Sequence, residues 1–480
     1  MGLEQQAIAG VKWGAVAKLS TQVVSWAVTL LVVRLLVPAD YGLMALCGVV
    51  LTTLSGLAEL GLGASLIQAR TLTDHDLKRV AGALWLLNVA CAAVIFLAAP
   101  LIATVFAQPR LDAVLRVSTV QLLLGAAAAV PEALAYRALR FRWLAAADIT
   151  AGLATSAATL ALALGGFGVW SLVLGTIGGA AVRTVLLVAR SPLIRPTLEL
   201  SGIGSLLRFG GAWSGARFAW QLTYQVDVLI AGRFLTQEAV GIYSVAMQLA
   251  NLPLQKGMSI VNGVAFPAIS RLQDDLPRMR RRLLDAIRVL SFGAVPALWG
   301  ISAVAGEFVE VALGEDWEAV VPTLQAIALI APLRMLATLL ATALSAVGRA
   351  DVELVNTLVS LAVAIVAFGL GVRWGLQGLT AAYVMAVGVS FALNFPRTVR
   401  IVQISARDIV NATRSTFLAG ALMLVCVNAA RAGLPIESHA LRLMGLIGVG
   451  GVAYTATLLL LDRAIWRQML TIVAALRERP

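Results

Sequence analysis

Lys18, Gln22 and Ser25 stand at i, i+4 and i+7, the spacing that lines three side chains along one face of a helix. Arg217, Gln221 and Tyr224 repeat that spacing, and Gln225 follows directly. A cation beside amides and hydroxyls is equipped to hold an anion rather than to break a bond. Arginine offers a planar fork for two anionic oxygens and lysine a point charge. Lys256 is a third cation in an apolar surrounding, and Glu59 and Asp227 are carboxylates in similar company. No paired carboxylates and no nucleophile with its base recur at a spacing that enzymes use, so the chain reads as a non-enzyme. Cys47, Cys91 and Cys426 each lie inside an apolar run, and His75 and His439 fall in predicted loops, which gives neither a disulfide framework nor a metal site. No cofactor is implied.

The elements that must position these residues follow from hydropathy. Of 480 residues, 60% are hydrophobic and 13% charged, and apolar runs of the ~20 residues needed to cross a bilayer recur along the chain. The expectation is an all-α polytopic membrane protein with fourteen spans, at about 12–36, 42–66, 80–105, 112–134, 146–167, 169–189, 206–232, 239–265, 284–308, 318–346, 352–372, 376–399, 412–431 and 440–462. The start M-G-L-E-Q-Q lacks the basic n-region of a cleaved signal, and Gln6 stands where myristoylation wants Ser or Thr. Placing both termini in the cytoplasm puts the arginine-rich connections inside, above all R-M-R-R-R at Arg278–Arg282. It also puts the acidic segment from Glu307 to Glu318, which has no lysine or arginine, outside. The net charge of +12 is then explained by basic loops facing an anionic leaflet, not by nucleic acid.

The sequence also repeats itself. An offset of 199 residues lays Lys18 on Arg217, Gln22 on Gln221, Arg34 on Arg233, Leu36 on Leu235 and Gly42 on Gly241. An offset of 209 lays Arg140 on Arg349 and Gly166 on Gly375. Residues 1–198 (spans 1–6) and 199–402 (spans 7–12) are therefore expected to form two six-helix bundles, with spans 13 and 14 and a cytoplasmic tail at 403–480. Six is even, so both halves enter the membrane alike, and the pseudo-twofold axis should run along the membrane normal.

Several phrases resemble a known family. They are R-L-L-V-P-A-D-Y-G-L at Arg34–Leu43, L-A-E-L-G-L-G-A-S-L-I-Q at Leu57–Gln68, G-G-F-G-V-W-S-L-V at Gly165–Val173, V-D-V-L-I-A-G-R-F-L at Val226–Leu235, and L-G-E-D-W-E-A-V-V-P-T-L-Q at Leu313–Gln325. Together they are similar to the polysaccharide transporters, the Wzx/WzxC-like oligosaccharide flippases of the multidrug/oligosaccharidyl-lipid/polysaccharide (MOP) exporter superfamily. The resemblance covers about residues 10–400. It implies a two-lobed transporter of the bacterial inner membrane that moves polyprenyl-pyrophosphate-linked oligosaccharide from inner to outer leaflet by alternating access. It also implies membrane lipids and polysaccharide polymerase or assembly proteins as partners, and a monomer.

Beside that implication, Lys18 and Arg217 suit a pyrophosphate, and Gln22, Gln221, Tyr224 and Gln225 suit sugar hydroxyls; a pseudo-twofold axis could turn both stripes towards one cavity. The plainer reading keeps both cations snorkelling to the inner interface. Lys256, Arg183 and Arg334 are further cations within spans. Glu59 reads either as a protonation or cation-coupling site or as a helix-end acid satisfied locally. Asp227 reads either as an ion-coupling site or as a partner of Arg233 or Arg34. A cation-coupled drug exporter and a lipid-linked peptidoglycan precursor flippase remain as rivals, the first disfavoured because a cationic lumen repels cationic substrates.

Overall fold

The computed structural model describes residues 24–59, 66, 73–192, 194–197, 221–260, 275–433, 438–463 and 465–466; for 56–59 and 255–260 the backbone alone is described. Lys18, Gln22 and Arg217 lie outside the described residues. Among the described residues there are no strands, and ten stretches are long and apolar enough to cross a membrane. The helices are α1 (Val24–Leu35), α2 (Pro38–Glu59), α3 (Asp74–Val105), α4 (Arg110–Ser118), α5 (Val120–Arg137), α6 (Phe141–Leu164), α7 (Val169–Ala189), α8 (Val226–Phe234) and α9 (Gln237–Ile260). They continue with α10 (Leu276–Ala303), α11 (Ala305–Ala312), α12 (Val320–Ala346), α13 (Ala350–Gly371), α14 (Gly375–Val402), α15 (Ala406–Gly433) and α16 (His439–Leu461). Two compact units divide the chain at Gly241 and Ile242, inside α9.

Of the helices that begin earlier than hydropathy predicts, three are capped by a side chain. At α3 the Thr73 hydroxyl accepts from the Asp76 amide at 3.1 Å while the Asp76 carboxylate accepts from the Thr73 amide at 3.1 Å. At α15, Ser405 and Asp408 repeat that capping box at 2.8 and 3.1 Å. At α10 the Asp275 carboxylate accepts from the Arg278 amide at 3.2 Å, so the arginine run is helix rather than loop. Within it Met279 is fully buried, Arg280 pairs with Asp408, and Arg281 and Arg282 stay exposed. The acidic segment is likewise ordered: it carries α11 and a 3₁₀ turn at Glu315–Trp317, with Trp317 fully buried.

The first unit is held by small-residue crossings. A Cβ added to Gly175 or Gly179 of α7 would lie 1.9 or 1.7 Å from the hydroxyl of Thr159 or Thr155 on α6, a Gly-x-x-x-Gly contact of the kind membrane helices use to approach closely. The crossing of α2 with the start of α9 is as close, backbone against backbone. A Cβ on Gly42 would meet the Gln237 carbonyl oxygen at 1.9 Å, and one on Gly241 would meet the Pro38 carbonyl oxygen at 1.8 Å. Both pairs are related by the 199-residue offset, so the contact is reciprocal, as a twofold relation requires.

Two turns obey the second offset. After α5, amides of Ala138, Leu139 and Arg140 donate to Leu134, Tyr136 and Ala135; after α12, those of Val347, Gly348 and Arg349 donate to Ala343, Ser345 and Leu344, each pair 209 residues on. Arg140 and Arg349 occupy the same N-cap position before α6 and α13, with ψ of 47° and 53°. Gly166 and Gly375 share a positive φ, at 75° and 68°.

The second unit has its core where Met279, Leu283 and Ile287 of α10 meet Met335, Leu339 and Ala343 of α12. Ion pairs fasten the last hairpin, α15–α16, to it. Glu307 of α11 is buried and accepts from Arg431 of α15 at 2.8 and 2.9 Å, with Arg442 of α16 at 3.7 Å. Arg288 of α10 pairs with Asp462 just beyond α16. Burial pushes the Glu307 carboxyl up, but the Arg431 hydrogen bonds and neighbouring positive charge outweigh it and hold the group below its ordinary value of 4.5.

Two predictions follow from these contacts. Gly42→Ala lowers the apparent melting temperature in detergent, whereas Gly48→Ala, with nothing within 4 Å of its added Cβ, does not lower it, since alanine's helix propensity adds about 1 kcal/mol of stability there. Because the Glu307 pKa is depressed on folding, its stabilisation is present above pH 4.5 and is lost as pH falls through the folded value. Thermal unfolding followed from pH 7 down to pH ~3.5 should therefore show a decline that Glu307→Gln flattens.

Candidate functional site

In the first unit, Gln221, Tyr224 and Gln225 lie just before α8, half-buried or exposed. The Gln225 Nε2 donates to the Thr52 hydroxyl on α2 at 3.0 Å, and that hydroxyl donates on to the Gly48 carbonyl at 2.7 Å. The hydroxyl of Ser156 on α6 donates to that of Ser25 on α1 at 3.4 Å. Gln225 and Ser25 thus each contact a neighbouring helix. Asp227 is buried in the first turn of α8, where its carboxylate accepts from the Val228 amide at 2.8 Å. Glu59 closes α2 and Lys256 lies on α9; their side chains are outside the described residues.

Arg183 is a strut between helices. Its two terminal nitrogens donate to Glu132 of α5 at 2.9 and 2.8 Å, and its Nε donates to Asp148 of α6 at 2.8 Å. Two carboxylates thus face one guanidinium, leaving a net negative triad that ties α5, α6 and α7 together. The partnership was readable only as three charges placed five to seven residues inside their respective helix ends.

In the second unit, Arg334 stands near the middle of α12, about 20 Å from the first residue at 1.5 Å per residue. It is half-buried, and its Nη1 donates to the Asn251 Oδ1 on α9 at 3.2 Å and to the Tyr383 hydroxyl on α14 at 2.8 Å. A guanidinium at that depth costs about 2.5–3.5 kcal/mol on insertion scales, a cost that these amide and phenol oxygens reduce. Further along α14 a second polar network joins it to α13. Asn356 of α13 donates to Thr398 at 3.2 Å, Asn394 donates to Ser360 at 2.9 Å, and Arg397 donates to the Asn356 Oδ1 at 3.2 Å. Neither group has a nucleophile poised beside a base; both can hold polar or anionic groups within the span.

A family model described as polysaccharide biosynthesis protein matches residues 31–322, more than half the chain and most of the elements just described. The chain belongs to that family. Among its relatives, the succinoglycan biosynthesis transport protein ExoT of Rhizobium meliloti (strain 1021) is 25% identical over 500 aligned positions, covering 98% of this chain and 96% of that protein. The lipopolysaccharide biosynthesis protein WzxC of Escherichia coli (strain K12) is 26% identical over 366 positions, 74% of this chain and 72% of that protein. Among solved structures, the lipid II flippase MurJ in an inward closed conformation superimposes with a TM-score of 0.77 at 12% identity, over 94% of this chain and 99% of that one. A multidrug resistance MATE family transporter of the MOP superfamily, facing inward, gives 0.62 at 14% identity over 81% and 98%. The chain therefore has the fold of these polytopic helical membrane transporters.

The Arg183 triad yields a stability prediction. Arg183→Ala strands two carboxylates and should destabilise the protein by about 2 kcal/mol, the scale of charge-assisted hydrogen bonds. The triple change Arg183→Met, Glu132→Leu, Asp148→Leu should recover most of that loss, because removing all three charges removes the desolvation cost as well. Melting curves of the two variants at equal detergent concentration check it.

Proposed function

We propose that this chain is a flippase that moves polyprenyl-pyrophosphate-linked oligosaccharide repeat units from the inner to the outer leaflet of a bacterial inner membrane, for exopolysaccharide, capsule or O-antigen synthesis. The observation that carries the reading is the family match over residues 31–322 together with the end-to-end alignment to a polysaccharide transport protein. The fold shared with a lipid flippase agrees with it. Fourteen spans, both termini cytoplasmic, form an N-terminal lobe at 1–198, a C-terminal lobe at 199–402 and an appended pair at 403–480. The protein works as a monomer, without cofactor or catalysis, by alternating access; the reciprocal Gly42 and Gly241 contact supports the twofold relation that such a cycle uses.

The pyrophosphate is held by Lys18 and Arg217, with Lys256 and mid-span Arg334 adding positive charge. Gln22, Gln221, Tyr224 and Gln225 serve sugar hydroxyls, and Glu59 and Asp227 are the carboxylates available for ion coupling. Polymerase and assembly proteins receive the exported unit.

Complementation tests the reading. In a strain lacking its own repeat-unit flippase, the chain should restore surface glycan, and the Lys18→Ala, Arg217→Ala double variant at matched protein level should lose about tenfold or more, as expected when a charge-assisted bond worth about 1.5–3 kcal/mol is removed. Rescue instead of a strain lacking its lipid-linked peptidoglycan precursor flippase would assign the other substrate. Undiminished glycan export in the double variant would remove the two cations from the site.

A further inference from the structure

The second unit carries a built groove on the outside of the α13–α14 hairpin. It measures about 890 Å³ and is walled by Val363, Val366 and Leu370 of α13 and by Ala381, Met385 and Val389 of α14. Its floor is a close approach of the two helices. A Cβ on Gly371 would lie 2.5 Å from the Gly378 carbonyl oxygen, and one on Gly378 would lie 2.1 Å from the Gly371 carbonyl oxygen, so the backbones touch and the larger side chains stand apart on either side.

Both ends of the groove are marked. Its walls run from Ala362 on α13 to Trp374 in the turn that follows, and from Gln377 to Val389 on α14. Twelve residues at 1.5 Å each make ~18 Å, close to the ~15 Å of hydrocarbon in a single leaflet. The groove thus starts at the turn between α13 and α14 and ends near the bilayer midplane. At the turn, Trp374 is 72% exposed, as tryptophans of the interfacial belt are, and the neighbouring Arg373 is exposed too. Below the turn the lining is apolar, with Gln377 at the upper end. One leaflet of depth, an apolar trough and a cation at headgroup level are complementary to one ligand class.

We infer that the α13–α14 groove is a binding site for an anionic phospholipid of the leaflet that contains this turn, its acyl chains in the trough and its phosphate beside Arg373. A polyprenyl chain, much longer than one leaflet, does not fit a trough that stops at the midplane. The inference stands apart from the transport reading above.

Native mass spectrometry of the full-length chain, released from detergent containing equal phosphatidylglycerol and phosphatidylcholine, tests it. The unmodified protein should retain phosphatidylglycerol in preference. Arg373→Gln should reduce that preference about fivefold, the equivalent of ~1 kcal/mol for one cation near a membrane surface. Ala381→Trp fills the trough from an exposed position and should abolish retention of both lipids, while Leu101→Trp, an exposed position on α3, should not. Retention by Ala381→Trp, equal loss in Leu101→Trp, an unchanged preference in Arg373→Gln, or a polyprenyl lipid as the retained species would each overturn the inference.

Discussion

Where α2 crosses the start of α9, there is no room for a side chain. Gly42 faces the Gln237 carbonyl and Gly241 faces the Pro38 carbonyl at distances that exclude even a methyl group. In a bilayer the lipid is as apolar as the helix faces, so helices gain little by hiding hydrophobic area and associate instead through close van der Waals contact. Backbone meeting backbone is the limit of that contact. It sets where both helices begin, and with it the position of the P-A-D-Y-G turn, where the buried Asp40 accepts from Arg110 at 3.2 Å. Gly168, at a φ of 55°, packs against the same carboxylate, so α4 and α7 are registered to α2 by one acid.

Charge does the remaining fastening, and each pair has at least one partner at a helix end. Glu307 with Arg431 and Arg442, Arg288 with Asp462, and Arg280 with Asp408 each join elements that are distant in the chain. At these levels water and headgroups lower the desolvation cost that the same pairs would meet at the midplane. The Arg183 triad lies a turn or two deeper and is correspondingly better satisfied, with three charge-assisted bonds on one guanidinium. Arg334 is deeper still along its helix and donates to amide and phenol oxygens of two neighbouring helices.

Hydropathy alone located the helices well, because twenty apolar residues leave a chain little choice in a membrane. It misjudged where they start. The caps at Thr73, Asp275 and Ser405 are local hydrogen-bond devices that add polar turns to an apolar rod, and a hydropathy window averages them away. The glycines at 42 and 241, which the 199-residue offset lays on one another, are positions where the backbone of the other helix excludes a Cβ. The polar sites were legible in residue type but not in partnership: nothing in the spacing of Arg183, or of Arg334, names Glu132 or Tyr383, because those contacts are made between helices. The two leading cations, Lys18 and Arg217, fall outside the described residues, and their assignment rests on the sequence repeat.

One turn keeps its backbone shape without the residue that suits it. Gly348 takes a left-handed conformation at a φ of 74°, which costs glycine nothing, while its counterpart 209 residues earlier is Leu139, held at 53° and largely exposed. For a leucine that geometry carries a penalty of order 1–2 kcal/mol. The three hydrogen bonds of the turn and the helices on either side fix the backbone, and the residue conforms. The same backbone shape is thus held at two places that do not share the amino acid it prefers. A search for ancient duplications in such chains would do better to compare backbone turns than to count identical letters.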